Sequence, residues 1–281
     1  MLIQEIKKYL DNKFQGKHNA FLKNLVKEYL QFYILDFLYS NKKYNKKLFF
    51  IGGTCLRFCY DLPRLSEDLD FNTIEKIDTE ELKDDLLNFF QSQLFFKKLD
   101  ISIKGVHEKI YLKFDILKEL GLSQESESSR LYVKLEIEGE KFSDFDLETS
   151  FINKNNFNFF IKHYSLSDLM TGKLNAIFTR SYFKGNHNEI DFKGRDYFDL
   201  LWYLNNGVDF KLDRLNKGLK LARHKIFKNK EDVFQDLKNR VDEMNINHLK
   251  LDLLPFIEDQ NFLENYLDNF KEVFNSLIRK R

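Results

Sequence analysis

Proline occurs twice among 281 residues, cysteine twice and glycine 11 times. In so glycine-poor a chain, an adjacent glycine pair needs a reason. The two cysteines are too few for a disulfide scaffold. Cys55 and Cys59 sit four apart on what reads as one helix and are expected to be small core residues, because a metal site needs further Cys or His ligands at suitable spacing and none stands out. No run of about 18 apolar residues occurs, which argues against a membrane-spanning helix. The N-terminal stretch "MLIQEIKKYLDNKF" is charged and amphipathic rather than signal-like. Together these features point to a reducing, cytoplasmic setting with no membrane partner. Net charge is only +1, so the whole molecule has no strong pull on polyanions, and any nucleic-acid surface must be local.

What is present is apolar surface in quantity. Hydrophobic residues make up 43% of the chain and phenylalanine alone occurs 30 times, enough for one large domain or two smaller ones with real cores. Residues 18–40 run without glycine or proline and predict a well-buried helix. "LFFI" predicts a short buried strand ending at Gly52-Gly53, "TCLRFCY" a helix, and "SEDLDFN" a strand with Ser66, Asp68, Asp70 and Asn72 on one face and Leu69 and Phe71 on the other. A helix over about 78–96 and strands over 109–117 and 130–139 follow. From about 165 the pattern is helical to the end. The organisation expected is α+β: a mixed sheet with flanking helices over residues 1–162, then a C-terminal helical domain over 163–281.

Chemistry concentrates in "IGGTCLRFCYDLPRLSEDLDF" (51–71). A strand-to-helix turn at Gly-Gly lets backbone N–H groups approach a phosphate, and the following helix adds its positive end. Asp68 and Asp70, at i and i+2 on a strand, point the same way with Cα atoms roughly 7 Å apart. Carboxylates so placed can share two Mg²⁺ ions that clamp a nucleoside triphosphate and activate an attacking hydroxyl. A third carboxylate on a neighbouring strand is expected to complete the site: Glu136, with Asp115 as its rival. Alone, a Gly-Gly is an ordinary turn and a D-x-D a solvated sheet face. In order, and joined by one helix, they favour the functional reading.

These residues carry a resemblance. The order G-G…D-x-D…E resembles the DNA polymerase β-type nucleotidyltransferases, and "GGTCLRFCYDLPRLSEDLDF" is similar to the AbiEii/AbiGii toxin family of abortive-infection toxin–antitoxin pairs. The family's later elements have counterparts in Lys134 and Glu136, in Lys173, Ala176 and Arg180 of "GKLNAIFTR", and in Arg195, Asp196 and Asp199 of "GRDYFDL". The resemblance spans residues 50–200. Here the third carboxylate is Glu rather than the commoner Asp.

The resemblance implies a polymerase β-like fold and a Mg²⁺-dependent nucleotidyltransferase. Asp68, Asp70 and Glu136 are expected to hold two ions, and Lys173 and Asp196 to serve catalysis. Gly52, Gly53, Thr54, Arg57, Ser66, Lys173 and Arg180 are expected to bind the NTP. Asp196 would hold Lys173 or a ribose hydroxyl, while Asp199 and Arg195 equally suit a structural ion pair. The implied acceptor is RNA, the 3′ end of tRNA, with a cognate antitoxin that need not form a stable complex. A protein hydroxyl as acceptor, or a non-catalytic module of the same fold, are the alternatives. Independently, "KLDRLNKGLKLARHKIFKNK" (211–230) holds eight Lys/Arg against one Asp. Read as one helix, it turns Leu212, Leu215, Leu219, Ala222 and Ile226 to one face. Arg214, Lys217, Lys220, Lys225 and Lys228 spread over the other, a candidate RNA-binding surface. Tyr182 and Phe183 are candidates for base stacking.

Overall fold

Two helices open the chain, α1 (Leu2–Leu10) and α2 (Asn19–Ser40), in a computed structural model that describes residues 2–11, 16–105, 109–182, 190 and 192–281. α2 is apolar on nearly all sides and is buried on nearly all sides, as a helix covered by both a sheet and its neighbours must be. β1 (Phe49–Ile51) then runs directly into α3 (Gly52–Cys59), and β2 (Asp68–Thr73) returns antiparallel to β1. α4 (Thr79–Asn88) starts at Asp78, whose side chain accepts from the Glu81 amide, and continues into a π-helical turn at Phe89–Gln93. Five further strands follow: β3 (Leu99–Lys104), β4 (Lys109–Asp115), β5 (Arg130–Gly139), β6 (Leu147–Lys154) and β7 (Phe157–Tyr164).

All seven strands form one mixed sheet in the order β3-β4-β5-β2-β1-β7-β6, with β2–β5 and β1–β7 parallel and the other pairs antiparallel. The sequence pattern predicts four of these strands, β1, β2, β4 and β5; the structure adds β3, β6 and β7. Alternation decides the faces of β2. Leu69 and Phe71 turn into the core with Phe50, whose ring centroid lies 5.2 Å from that of Phe71. Each such phenylalanine contributes roughly 1.5–3 kcal/mol by leaving water. Phe32 of α2 closes this layer against Phe58 and Phe157, with centroids 4.5 and 5.5 Å away. The other face of β2 is left to Asp68, Asp70 and Asn72, all half-buried.

The chain divides into two units. The first comprises residues 1–143 and 147–164 and contains the whole sheet. The second comprises Asp144–Asp146 and Ser165–Arg281 and is built of α5 (Leu166–Thr179), α6 (Gly194–Asn205), α7 (Leu212–Leu221), α8 (Lys230–Glu243), α9 (Ile246–Leu253) and α10 (Gln260–Ile278). The basic stretch 211–230 is not one helix. α7 ends at Leu221, Arg223 takes a φ of 59°, and Ala222 and Ile226 are exposed rather than part of an apolar face. Among the described residues, no helix is long and apolar enough to cross a membrane.

Candidate active site

β1 places its last residue, Ile51, opposite Asp70 of β2, so the turn into α3 begins beside that carboxylate. Gly52 has a φ of +77°, and a Cβ there would stand 2.5 Å from Asp70 Oδ2. Both the backbone conformation and the approach of the carboxylate therefore demand glycine. A Cβ on Gly53 would meet Arg64 Nη2 at 2.7 Å and Ser66 Oγ at 3.1 Å. The pair thus admits two different neighbours, one acidic and one cationic.

On its other side, β2 lies parallel to β5, in a register that sets Asp68 beside Lys134 and Asp70 beside Glu136. Lys134 Nζ bridges Asp68 Oδ2 at 3.0 Å and Glu136 Oε2 at 2.9 Å, and Lys109 Nζ reaches Glu136 Oε1 at 2.6 Å. Burial works to raise the Glu136 carboxyl. The ammonium groups of Lys109 and Lys134 outweigh it and hold the group below its ordinary value, as a carboxylate. Lys134 is likewise opposed by burial, yet Asp68 and Glu136 raise it above its ordinary value. The rival carboxylate lies elsewhere: Asp115 is exposed and pairs with Arg130, roughly 20 Å along β5 from Glu136.

Of the residues assigned to the nucleotide, Ser66 and the glycines stay at the elbow, whereas Thr54 and Arg57 are committed to structural bonds. The Thr54 hydroxyl donates to the Asp68 carbonyl, tying α3 to the start of β2. Arg57 turns toward α2, where Nε donates to Glu28 Oε2 at 2.7 Å and Nη2 to Glu28 Oε1 at 3.3 Å, while Nη1 donates to the Leu62 carbonyl at 3.1 Å. Arg64 is absent from the residues expected at the site, yet the fold sets it at the glycine elbow. It is 3% exposed, lies over Gly53, and donates from Nη1 to the Leu65 carbonyl at 2.8 Å. Its signal in the sequence is an arginine two residues before Ser66 in the same polar run. Gln31 of α2 fixes this run by donating to the Ser66 and Glu67 carbonyls at 3.2 and 2.9 Å.

In the second unit, Lys173 Nζ sits between Asp196 Oδ1 (2.7 Å) and Asp199 Oδ2 (2.8 Å), and Arg180 bonds the other oxygen of Asp196. Asp196 therefore does hold Lys173, and Asp199 shares the task. Arg195 donates from its backbone N–H and from Nε to Asp252 Oδ2, at 2.9 and 3.4 Å. Burial would raise Asp196, but Lys173, Arg180 and Lys193 lower it from 3.8 to about 2. Lys193, which nothing in the sequence pattern singles out, is pushed down to about 8 by burial and by the positive charges of Arg195, Lys173 and Arg180, against the opposing pull of Asp196.

Of the five cations expected to meet RNA, two are engaged within this unit. Arg214 pairs with Asp144 (3.2 Å) and Asp168 (3.6 Å), and Lys217 with Asp144 (2.8 Å), because the segment Asp144–Asp146 folds with the helices rather than with the sheet. Lys220, Lys225 and Lys228 are exposed. Tyr182 is half-buried, and Phe183 lies outside the described residues.

The donors at Asp68, Asp70 and Glu136 are hard oxygens, the ligand class Mg²⁺ takes. A cation already stands among them, since the Lys134 ammonium lies within 3.0 Å of two of the three carboxylates. The set fits a divalent ion in charge and ligand type, although with Lys134 between them the oxygens of the three carboxylates do not all lie within 4.8 Å of one another.

A short strand turning at glycines into a helix, with two carboxylates on the adjoining strand of a mixed sheet, is the architecture of a nucleotidyltransferase, and solved structures of that class share this fold. The chain aligns with MenT4, a nucleotidyltransferase toxin from Mycobacterium tuberculosis, at a TM-score of 0.53 and 14% identity, over 93% of this chain and 98% of that one. It aligns with JHP933 from Helicobacter pylori at a TM-score of 0.51 and 20% identity, over 92% of each chain. No curated protein matches it by sequence. The family model described as nucleotidyl transferase AbiEii toxin, type IV toxin–antitoxin system, matches residues 36–276. The chain belongs to the AbiEii nucleotidyltransferase toxin family and is a transferase.

Proposed function

We propose that this toxin-family transferase uses Mg²⁺ to move a nucleoside monophosphate from an NTP to an RNA hydroxyl, with the 3′ end of tRNA as acceptor. The observation that carries the reading is the position of Asp70, in register with Glu136 on one side and against the Gly52 elbow on the other. Mg²⁺, when bound, supplies Lewis-acid polarisation of the phosphoryl oxygens and a lowered pKa for the attacking hydroxyl. Asp68 and Asp70 would hold it, with Glu136 as the third carboxylate. Ser66, Arg64 and the glycine elbow suit the polyphosphate, since a backbone without Cβ beside a guanidinium and a hydroxyl is an anion cradle. The acceptor hydroxyl gives up its proton to solvent and attacks the α-phosphorus, the bond to the bridging oxygen breaks, and pyrophosphate leaves.

The family resemblance assigns Lys173 and Arg180 to neutralising the phosphates, and Asp196 to orienting Lys173. The exposed Lys220, Lys225 and Lys228 support an RNA acceptor, because solvent-facing cations grouped on a chain of net charge +1 make a local field for a phosphate backbone. Nucleotides added to tRNA would block aminoacylation and arrest growth, and a cognate antitoxin would relieve the arrest. The test is incubation with each labelled NTP, Mg²⁺ and total RNA. Label should enter small RNA with the wild type and be lost with Asp70→Ala. Label in protein instead would move the acceptor to a protein hydroxyl, and no label with any NTP would overturn the reading.

A further inference from the structure

Away from the carboxylates, the first unit holds a second group of donors. Among the described residues, Cys55, Cys59 and His163 are the three whose ligand atoms all lie within 4.8 Å of one another. Cys55 and His163 are 0% exposed, and Cys59 is half-buried. Their placement follows from two simple spacings. Cysteines at i and i+4 on α3 stand one above the other on a single helix face. His163 comes from β7, opposite Phe50 in the parallel β1–β7 register, and so projects from the strand beside the one that leads into α3. No local spacing could reveal the trio, because His163 lies more than 100 positions beyond Cys59.

The hydrogen bonds of His163 fix its tautomer. Its Nδ1 lies 2.9 Å from the Tyr164 carbonyl, a bond that requires the proton on Nδ1 and leaves the lone pair on Nε2. The Ser150 hydroxyl, 2.8 Å from Nε2, then donates to that lone pair and can rotate away. Glu148, the register partner of His163 on β6, accepts from the Tyr60 hydroxyl at 2.8 Å and lies near enough to Cys55 to act on its thiol.

We propose that Cys55, Cys59 and His163 form a zinc site. Softness and charge both favour this ion. Two sulfurs and one imidazole are a donor set that selects Zn²⁺ over Mg²⁺. On binding, the two cysteine S–H bonds break, two Zn–S bonds form and two protons pass to solvent. Two thiolates and a neutral imidazole then balance the ion, which is what burial requires. The ion would tie α3, whose first residues are the glycine elbow, to the β6–β7 hairpin.

The test uses the full chain, reduced and chelator-treated, titrated anaerobically with Co²⁺. Thiolate ligation gives a charge-transfer absorption that carboxylates cannot produce, so the Asp68–Asp70 site is silent in this assay. The band should saturate at about one equivalent and vanish when one equivalent of Zn²⁺ is added. Cys59→Ala, at the half-buried position, should fold and lose the band at one equivalent of Co²⁺, as should Cys55→Ala/Cys59→Ala. Zn²⁺ should raise the melting temperature of the wild type but not of Cys59→Ala, which serves if the double variant fails to fold. A folded wild type without a thiolate band, or a band undiminished in Cys59→Ala, would overturn the proposal and leave the cysteines as core residues with a hydrogen-bonded histidine beside them.

Discussion

Gly52 and Asp70 occupy adjoining space that a single methyl group would fill: a Cβ at 52 would fall 2.5 Å from Oδ2 of the aspartate, and the backbone there has a φ of +77°. Gly52→Ala should cost about 1–2 kcal/mol in backbone strain, and more because Asp70 must move. Gly121, also left-handed at φ +70° but open to solvent, is the control. Gly121→Ala should cost only the strain and keep nucleotidyl transfer, whereas Gly52→Ala should lose transfer even where urea melts show it folded.

Asp196 predicts an acid-labile second unit. Its carboxyl falls from 3.8 to about 2 because Lys173, Arg180 and Lys193 overcome its burial. A folded value below the unfolded one contributes stability above pH 3.8, about 2 kcal/mol, that is lost as pH falls from about 4 to 2. Asp196→Asn should be less stable at pH 7 and lose correspondingly less between pH 5 and 2, as measured by urea unfolding at each pH.

Lys193 works in the opposite sense. Burial, and the charges of Arg195, Lys173 and Arg180, depress it from 10.5 to about 8, so the unfolded chain holds its proton longer. The charged form costs the fold about 3 kcal/mol below pH 8, and the cost fades as pH rises toward 10.5. Lys193→Met should therefore be more stable than the wild type at pH 7, with the advantage shrinking toward pH 10. An advantage that is constant across that range would refute the assignment.

The basic stretch separates into two kinds of cation. Lys220, Lys225 and Lys228 are exposed, while Arg214 and Lys217 are paired with acids of their own unit. Replacing the three exposed lysines by glutamine should flatten the dependence of log K on log salt for RNA by about 0.7–0.9 for every phosphate no longer neutralised. Arg214→Ala should leave that slope alone and lower stability instead. Filter binding over a salt series and a thermal melt distinguish the two classes.

The elbow and β2 are legible in the sequence because burial there alternates strictly, residue by residue, and because two glycines in a glycine-poor chain have few other uses. β6 is not, since only Ile152 of its eight residues is buried and an edge strand needs no apolar period. A turn signal does exist: Asn155 and Asn156 both adopt positive φ, 54° and 67°, as a two-residue hairpin loop requires. β3 is obscured because Asp100 and Ser102 between its apolar residues resemble a loop following a helix. Lys173 and Asp196 come from the family pattern, and their ion pair is hidden from spacing because its partners sit on different helices. Arg57 shows the reverse limit. An arginine beside a phosphate elbow suggests a phosphate ligand, but Glu28, 29 residues earlier, holds it.

Asp144, Asp146 and Asp168 answer Lys211, Arg214 and Lys217 within the helical unit, although the first two are encoded between strands of the sheet. A scissor cut after Tyr164 would thus not excise a self-sufficient sheet: it would carry off two acids without the bases that balance them and deprive those bases of part or all of their counter-charge. The first stretch of this polypeptide lends a few residues to the second, so anyone dissecting it must splice as well as truncate.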